Sequence, residues 1–329
     1  MPKKIDPQAL LSGDRRSLAK CITLVESTLP SDRAIAASLI EDILPHTGNS
    51  LRVGISGVPG VGKSTFIETF GLHLIDAGKK VAVLAVDPSS PVAGGSILGD
   101  KTRMTGLSRS EHAYIRPSPT SGMMGGIAHK TRETILLCEA AGYDMILVET
   151  VGVGQSEVDV YSMVDFYMML MVPNAGDELQ GIKRGITELV DAIIINKADG
   201  PSITLAETAR QYYQKALHLL RPDSGFWKPR VLTCSATEDT NLDEIVSMIF
   251  EFQQSAAQEN RLLARRETQN LSWLKRLINN EVEQRLKHNK AIGKIYPGME
   301  QDVITGKRTP LSAASEIIDL LFGKNNGQQ

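Results

Sequence analysis

The stretch Gly57–Ser64, which reads G-V-P-G-V-G-K-S, carries residues whose types and spacing suit phosphate binding. It fits the pattern G-x-x-x-x-G-K-[ST], in which glycines let the backbone pass close to a phosphate and turn its amides into one concavity. The candidate nucleotide-contacting residues are therefore Gly57, Val58, Pro59, Gly60, Val61, Gly62, Lys63, Ser64 and the adjoining Thr65. Lys63 is placed to reach the β- and γ-phosphates, and the Ser64 hydroxyl to hold Mg²⁺. Such a loop needs a strand before it and a helix after it. The apolar, β-branched run Leu51–Ser56 predicts the strand, and the helical spacing of apolar residues over Thr65–Ile75 predicts the helix. The positive end of that helix adds to the attraction for phosphate.

A phosphate loop alone fits kinases, ATPases and GTPases. The residues that discriminate are Asn196-Lys197-Ala198-Asp199, at the end of the apolar strand expected over Ala192–Ile195. The Asp199 carboxylate can accept two N–H bonds from guanine, from N1 and the 2-amino group, which adenine cannot offer as a pair. The Lys197 stem can lie along the base. Ser235 and Ala236, on a later expected strand, stand where an amide meets the guanine oxygen. The expected ligands are GTP and GDP with Mg²⁺. Glu149 closes another apolar strand, where a carboxylate is costly unless it faces a cation or water. With Gly152 it forms Glu149-Thr-Val-Gly152, a D-x-x-G segment with Glu in place of Asp. Glu149 is thus a candidate for Mg²⁺, and the Gly152 amide for the γ-phosphate. The residue after Gly152 is Val153, so no Ras-type glutamine follows directly; Gln155 stands two positions further on.

From residue 51 onward, apolar strands alternate with helices, predicting an α/β fold of P-loop type with a mostly parallel sheet covered on both faces. Helices are expected at Ala128–Ala141, Leu179–Val190, Leu205–Leu220 and Asn241–Glu259. The helix directly before the Glu149 strand makes that strand parallel to its predecessor, unlike the hairpin of Ras-like proteins. The arrangement suits the class that holds signal-recognition and metallochaperone GTPases. Residues 1–50 read as an N-terminal helical extension, with helices at Arg15–Ser27 and from a Ser31-Asp32 cap to near Pro45. Residues 51–256 read as the nucleotide domain and 257–329 as a C-terminal helical arm. In that arm Leu262, Trp273, Leu277, Val282 and Leu286 form an apolar stripe, and one further helix is expected at Pro310–Phe322. A net charge of −2 over 329 residues makes no case for nucleic acid or an anionic membrane as partner. No apolar run approaches the ~20 residues of a membrane span. Cys21, Cys138 and Cys234 are too scattered for a disulfide or metal framework and read as buried hydrophobes of a reducing compartment, so a cytoplasmic protein is expected.

Taken together, G-V-P-G-V-G-K-S, V-D-P-S-S, G-G-S-I-L-G-D-K-T-R-M, V-E-T-V-G-V-G-Q-S-E, D-E-L-Q-G-I-K-R-G and N-K-A-D resemble the methylmalonyl-CoA mutase-associated GTPases, the ArgK/MeaB type of P-loop GTPase. The resemblance runs over roughly residues 5–325. It implies a GTP-hydrolysing chaperone of the adenosylcobalamin-dependent mutase, gating cofactor loading and protecting or reactivating the enzyme. It also implies a homodimer formed by the C-terminal helices. By position it puts Asp87 and Asp100 in a first switch, Glu149–Ser156 in a second and Asp177–Lys183 in a third that senses the partner. Asp100 joins Ser64 and Glu149 as a candidate Mg²⁺ residue. Asp87, which ends the strand beside the phosphate loop, becomes the candidate to position the attacking water, with Lys63 and Glu149 the other catalytic candidates. The alternatives are a metallochaperone-type GTPase, disfavoured by six scattered histidines with no cysteine near them, and an ATP-dependent kinase linked to amino-acid transport, disfavoured by Asn196–Asp199.

Overall fold

The computed structural model describes residues 6–86, 104–117, 124–150, 156–173, 189–220 and 225–322. Asp87, Asp100, Gly152, Gln155, the segment Asp177–Lys183 and most of the helix expected over Leu179–Val190 lie outside the described residues. Among those described, seven strands form one parallel sheet: β1 (Leu51–Gly57), β2 (Val81–Val86), β3 (Ala113–Arg116), β4 (Met145–Thr150), β5 (Phe166–Met171), β6 (Ala192–Ile195) and β7 (Arg230–Thr233). Their order is β3-β2-β4-β1-β5-β6-β7. Every side chain of β2, β4, β5 and β6 is buried, as expected of parallel strands covered on both faces.

The helices that provide this cover follow from the apolar spacing. On one face lie α1 (Pro7–Leu11), α2 (Arg15–Glu26), α3 (Pro30–Ile43) and, further along the chain, the helix Met124–Ala140. Leu18, Cys21 and Ile22 of α2 and Leu39 and Ile43 of α3 share a core with Ile135 and Cys138, above Leu84, Ile146 and Val148 of the sheet. Asp14 caps α2 by accepting the Ser17 N–H at 2.7 Å. The next helix begins at Pro30, ahead of the expected Ser31-Asp32 cap, because proline at the first helical position gives up an N–H that has no partner there anyway. The opposite face is covered by α4 (Lys63–Asp76) and the helix Leu242–Gln258. Their Phe66, Phe70, Ile245, Ile249 and Phe252 pack on Val53, Ile55, Leu147, Met168 and Ile194.

Between β2 and β3 a short helix, α5 (Thr105–Arg109), docks on α4, and sequence spacing did not reveal it. Leu107 lies against Gly71, where a Cβ would come within 2.9 Å of it. The Glu68 carboxylate accepts the N–H of Gly106 at 2.6 Å and that of Leu107 at 3.2 Å, closing the open end of α5. Losing a helix-end acceptor costs about 1 kcal/mol. Glu68→Ala should therefore lower the melting temperature by about 2–4 °C, and an unchanged thermal melt would contradict this docking. Numbering on, α6 is Met124–Ala140, α7 Ser156–Tyr161, α8 Ile203–Leu220 and α9 Leu242–Gln258; α10 (Arg261–His288), α11 (Lys290–Ile304) and α12 (Pro310–Phe322) follow.

The chain divides into two compact units, Met1–Arg266 and Glu267–Gln329, with α10 beginning in the first. Within the first unit, Arg266 grips the amino-terminal edge of the sheet. Its guanidinium donates to both oxygens of the fully buried Asp165, at 2.8 and 2.6 Å, and to the carbonyls of Gly48 and Ser50 at 2.5 and 2.6 Å. Beside it Arg52 donates to both oxygens of Glu139. The second unit holds most of α10 with α11 and α12. Helix α11 lies where no helix is expected from the sequence, and Gly293, Pro297 and Gly298 work locally against it. Burial of Ile292 and Met299 and packing against α12, where Ala313 is buried, override that local cost.

Candidate functional site

All strands run the same way, so the loops after β1, β4, β6 and β7 share the carboxyl edge of the sheet, where ligands bind in folds of this kind. The phosphate loop leaves β1 at Gly57. A Cβ there would meet the backbone oxygen of Leu170 on β5 at 2.6 Å, so only glycine permits the close approach. The loop then turns into α4 through Gly62, whose φ of 92° is in the left-handed region. No side chain caps α4 at this end, leaving a 14-residue helix to present its amino terminus to an anion. Lys63 lies back over the loop, donating from Nζ to the carbonyl of Gly57 at 2.7 Å and that of Val58 at 3.4 Å. Burial holds its ammonium below the usual lysine range, against the pull of the Glu149 and Glu157 carboxylates. An anion in the loop would restore what burial takes away.

The residues expected to read the base converge on this loop. Asn196 is buried; its Nδ2 donates to the Val61 carbonyl at 2.9 Å, and its Oδ1 accepts the Ala236 N–H at 3.2 Å. One side chain thus fastens the phosphate loop to both strand ends. Lys197, at a φ of 59°, extends over the loop and donates to the Gly60 carbonyl at 2.7 Å. Asp199 accepts the Ser235 hydroxyl at 2.6 Å, and the same Ser235 oxygen accepts the Glu238 N–H at 3.1 Å. Thr69 of α4 donates to the Ala236 carbonyl at 2.9 Å, a link that spacing could not show. The Ala236 amide, expected to meet the guanine oxygen, donates here to Asn196.

Glu149 sits at the carboxyl end of β4, paired in register with Ile55 of β1, and is buried. The next residue, Thr150, donates its hydroxyl to that of Ser56 at 3.0 Å, drawing the ends of β4 and β1 together. A second carboxylate, Glu157 in the first turn of α7, is equally buried. Sequence reasoning missed it with α7, although Ser156-Glu157-Val158-Asp159 is the acidic first turn that favours a helix start. Gly54 seats this helix: a Cβ there would come within 2.9 Å of Val160 and 2.8 Å of Tyr167.

The three cysteines are buried and unpaired, and burial pushes the thiols of Cys21 and Cys234 up to about 11 and about 12. Among the described residues, no cluster of three or more His, Cys, Asp or Glu side chains could hold a metal ion, and no helix is long and apolar enough to cross a membrane.

A parallel α/β sheet, a glycine loop opening a helix and a base loop tied to both define a P-loop GTPase. The chain belongs to the family described as Methylmalonyl Co-A mutase-associated GTPase MeaB, which it matches over residues 18–291. It is 50% identical over 303 residues to GTPase ArgK of Escherichia coli (strain K12), covering 92% of this chain and 91% of that one. It is 47% identical to the mitochondrial methylmalonic aciduria type A homolog of Mus musculus, covering 94% of this chain and 77% of the relative. The solved structure of an LAO/AO transport system kinase superposes with a TM-score of 0.77 at 40% identity, covering 96% of both chains. The chain is a GTPase, and its family associates with methylmalonyl-CoA mutase.

Proposed function

We propose that this GTPase is a chaperone of adenosylcobalamin-dependent methylmalonyl-CoA mutase, gating cofactor loading and protecting or reactivating the enzyme. Membership of the mutase-associated family carries the reading. The convergence of the proposed base and phosphate residues on one loop supports its GTP-dependent part, because a nucleotide bound there would meet the loops after β1, β6 and β7 together.

In this reading the Gly57–Ser64 amides and Lys63 hold the phosphates, while Asp199 selects guanine, with Asn196 and Lys197 fixing the base loop to the phosphate loop. Mg²⁺ fits the donor set: the hydroxyl-bearing Ser64 lies in the first turn of α4, and buried Glu149 lies on the strand next to β1, both oxygen donors of the kind a hard cation takes. A bound Mg²⁺ would supply positive charge to offset the negative charge developing on the phosphates. Asp87 for the attacking water, Asp100 for the ion and Gly152 for the γ-phosphate complete the assignment by family resemblance. Val153, not a Ras-type glutamine, follows Gly152, and an arginine finger supplied by a partner is worth about 10³–10⁵ in rate. Intrinsic turnover is therefore slow, and the client accelerates it.

A homodimer through the C-terminal helices fits the second unit, where Leu271, Leu274, Ile278 and Leu311 expose more than half their surface. A cytoplasmic location fits three reduced, buried thiols.

The test is GTP turnover with and without saturating methylmalonyl-CoA mutase. Stimulation of the wild type is expected. Asp177→Ala, Gln180→Ala and Lys183→Ala should keep intrinsic turnover and lose much of the stimulation. Full stimulation in all three would remove the third switch, and no stimulation of the wild type would remove the partner.

A further inference from the structure

His73 lies on α4, nearly three turns beyond the phosphate loop, and plays no part in the chemistry above. Its two ring nitrogens each meet a carboxylate: Nε2 is 2.6 Å from Asp239 Oδ1 and Nδ1 is 2.7 Å from Asp243 Oδ1. Asp239 belongs to the turn that follows Ser235 and Ala236, and Asp243 to the first turn of α9. That turn is closed on itself by the Ser235–Thr240 backbone pair and passes through two left-handed residues, Asp239 at a φ of 53° and Asn241 at 61°. Such positions are tolerated by Asp and Asn but need outside support to persist. The support comes from α4 at two points, Thr69 on the Ala236 carbonyl and His73 on Asp239.

The chemistry of this contact dictates a protonation state. Ionised carboxylates only accept hydrogen bonds, so both contacts are satisfied together only by an imidazolium that donates from each nitrogen. A neutral ring donates to one carboxylate and turns a lone pair toward the other. The charged groups facing His73 are Asp239 from the turn and Asp243 from α9, and Asp76 is the ionisable residue one turn further along its own helix.

We propose that His73 is a positioning residue for guanine-nucleotide binding: by bridging Asp239 and Asp243 from the phosphate-loop helix, it holds the Ser235–Ala236 turn where Asp199 and the base need it. The proposal rests on the guanine reading of Asp199 and adds to it a residue that touches no part of the nucleotide. Two observations agree with it. Ser235, whose hydroxyl orients Asp199, sits at the start of the turn that His73 fastens. Partial burial works against the imidazolium, but the two carboxylates together outweigh it and hold the ring above the usual histidine range. A raised value stabilises the fastened turn fully below about pH 6.5, and that stabilisation is lost as pH rises through the folded-state value. Apparent affinity falls with the fraction of protein whose turn is in place.

The experiment is GDP titration calorimetry from pH 6 to 9 on the full chain, with wild type, His73→Gln and Asp243→Asn. At pH 6, His73→Gln should bind GDP about three- to tenfold more weakly, the sum of two largely exposed pairs. The wild type should weaken more steeply with rising pH than His73→Gln, until the two converge, since the lysine of the phosphate loop acts equally on both. Asp243→Asn, with one contact removed on an exposed side, should show the smaller part of the loss and keeps the test open if the first variant unfolds. Equal GDP affinity and equal pH slope in wild type and variants would overturn the proposal, as would a loss of melting temperature with the pH slope of binding retained. Wild-type protein that bound ATP as tightly as GTP would overturn the guanine reading instead, an outcome separable from the first by its lack of dependence on His73.

Discussion

Replacing Lys63 with alanine should lower GTP turnover by about 10²–10³-fold and leave the fold in place. The side chain is partly buried, yet its hydrogen bonds run to two carbonyls of its own loop, Gly57 and Val58, and not to the core. Its loss removes the positive charge proposed to meet the phosphates, at a half-buried position. The same burial holds the free ammonium below its usual range, so nucleotide binding draws in a proton where pH exceeds that depressed value. Wild-type affinity should then fall more steeply at alkaline pH than that of the Lys63→Ala variant. Phosphate release from purified protein, with a thermal melt as control, makes the check. Undiminished turnover in a folded Lys63→Ala protein would sink the phosphate-loop assignment.

Asp199→Asn should cost about 1.5–3 kcal/mol in GTP affinity, the value of hydrogen bonds to a charged group, or roughly ten- to hundredfold. The geometry shows why the change is selective and not merely disruptive. Ser235 donates to one oxygen of Asp199, and since each carboxylate oxygen has two lone pairs, that oxygen and the other can still take one guanine N–H apiece. Asparagine keeps an oxygen for Ser235 and offers an amino group to the base. Guanine then faces a donor with its own donors, whereas the 2-oxo group of xanthine faces a partner. Competition between GTP and xanthosine triphosphate for the variant should therefore reverse in favour of the latter. A variant that still prefers GTP as strongly as wild type would show that Asp199 does not read the base.

The parts of this site that were legible in the sequence are those whose spacing is local. Gly57–Ser64 and Asn196–Asp199 are each made by one turn of chain, so residue order alone places the atoms. The parallel sheet was legible because β2, β4, β5 and β6 are apolar along nearly their whole length and buried throughout. What could not be read joins distant residues. Arg266 and Asp165 lie 101 positions apart, Glu68 and Gly106 lie 38 apart, and His73 and Asp239 lie 166 apart. Each reads in isolation as an ordinary surface charge, and only the fold makes it a fastening. Glu157 was missed for a different reason: a helix of six residues has too few turns to show a period. In α11 the local signals pointed the wrong way, since Gly293 and Pro297 weaken a helix that burial of Ile292 and Met299 then enforces.

The central claim, that GTP hydrolysis here serves the mutase, is tested most directly by following methylmalonyl-CoA mutase activity through prolonged turnover with GTP, adenosylcobalamin and this protein. Wild-type protein is expected to sustain mutase activity, and Lys63→Ala protein at the same concentration to let it decay as it does with no protein added. Equal decay with wild-type and Lys63→Ala protein, in a preparation where the wild type hydrolyses GTP, would contradict the chaperone reading while leaving the GTPase intact.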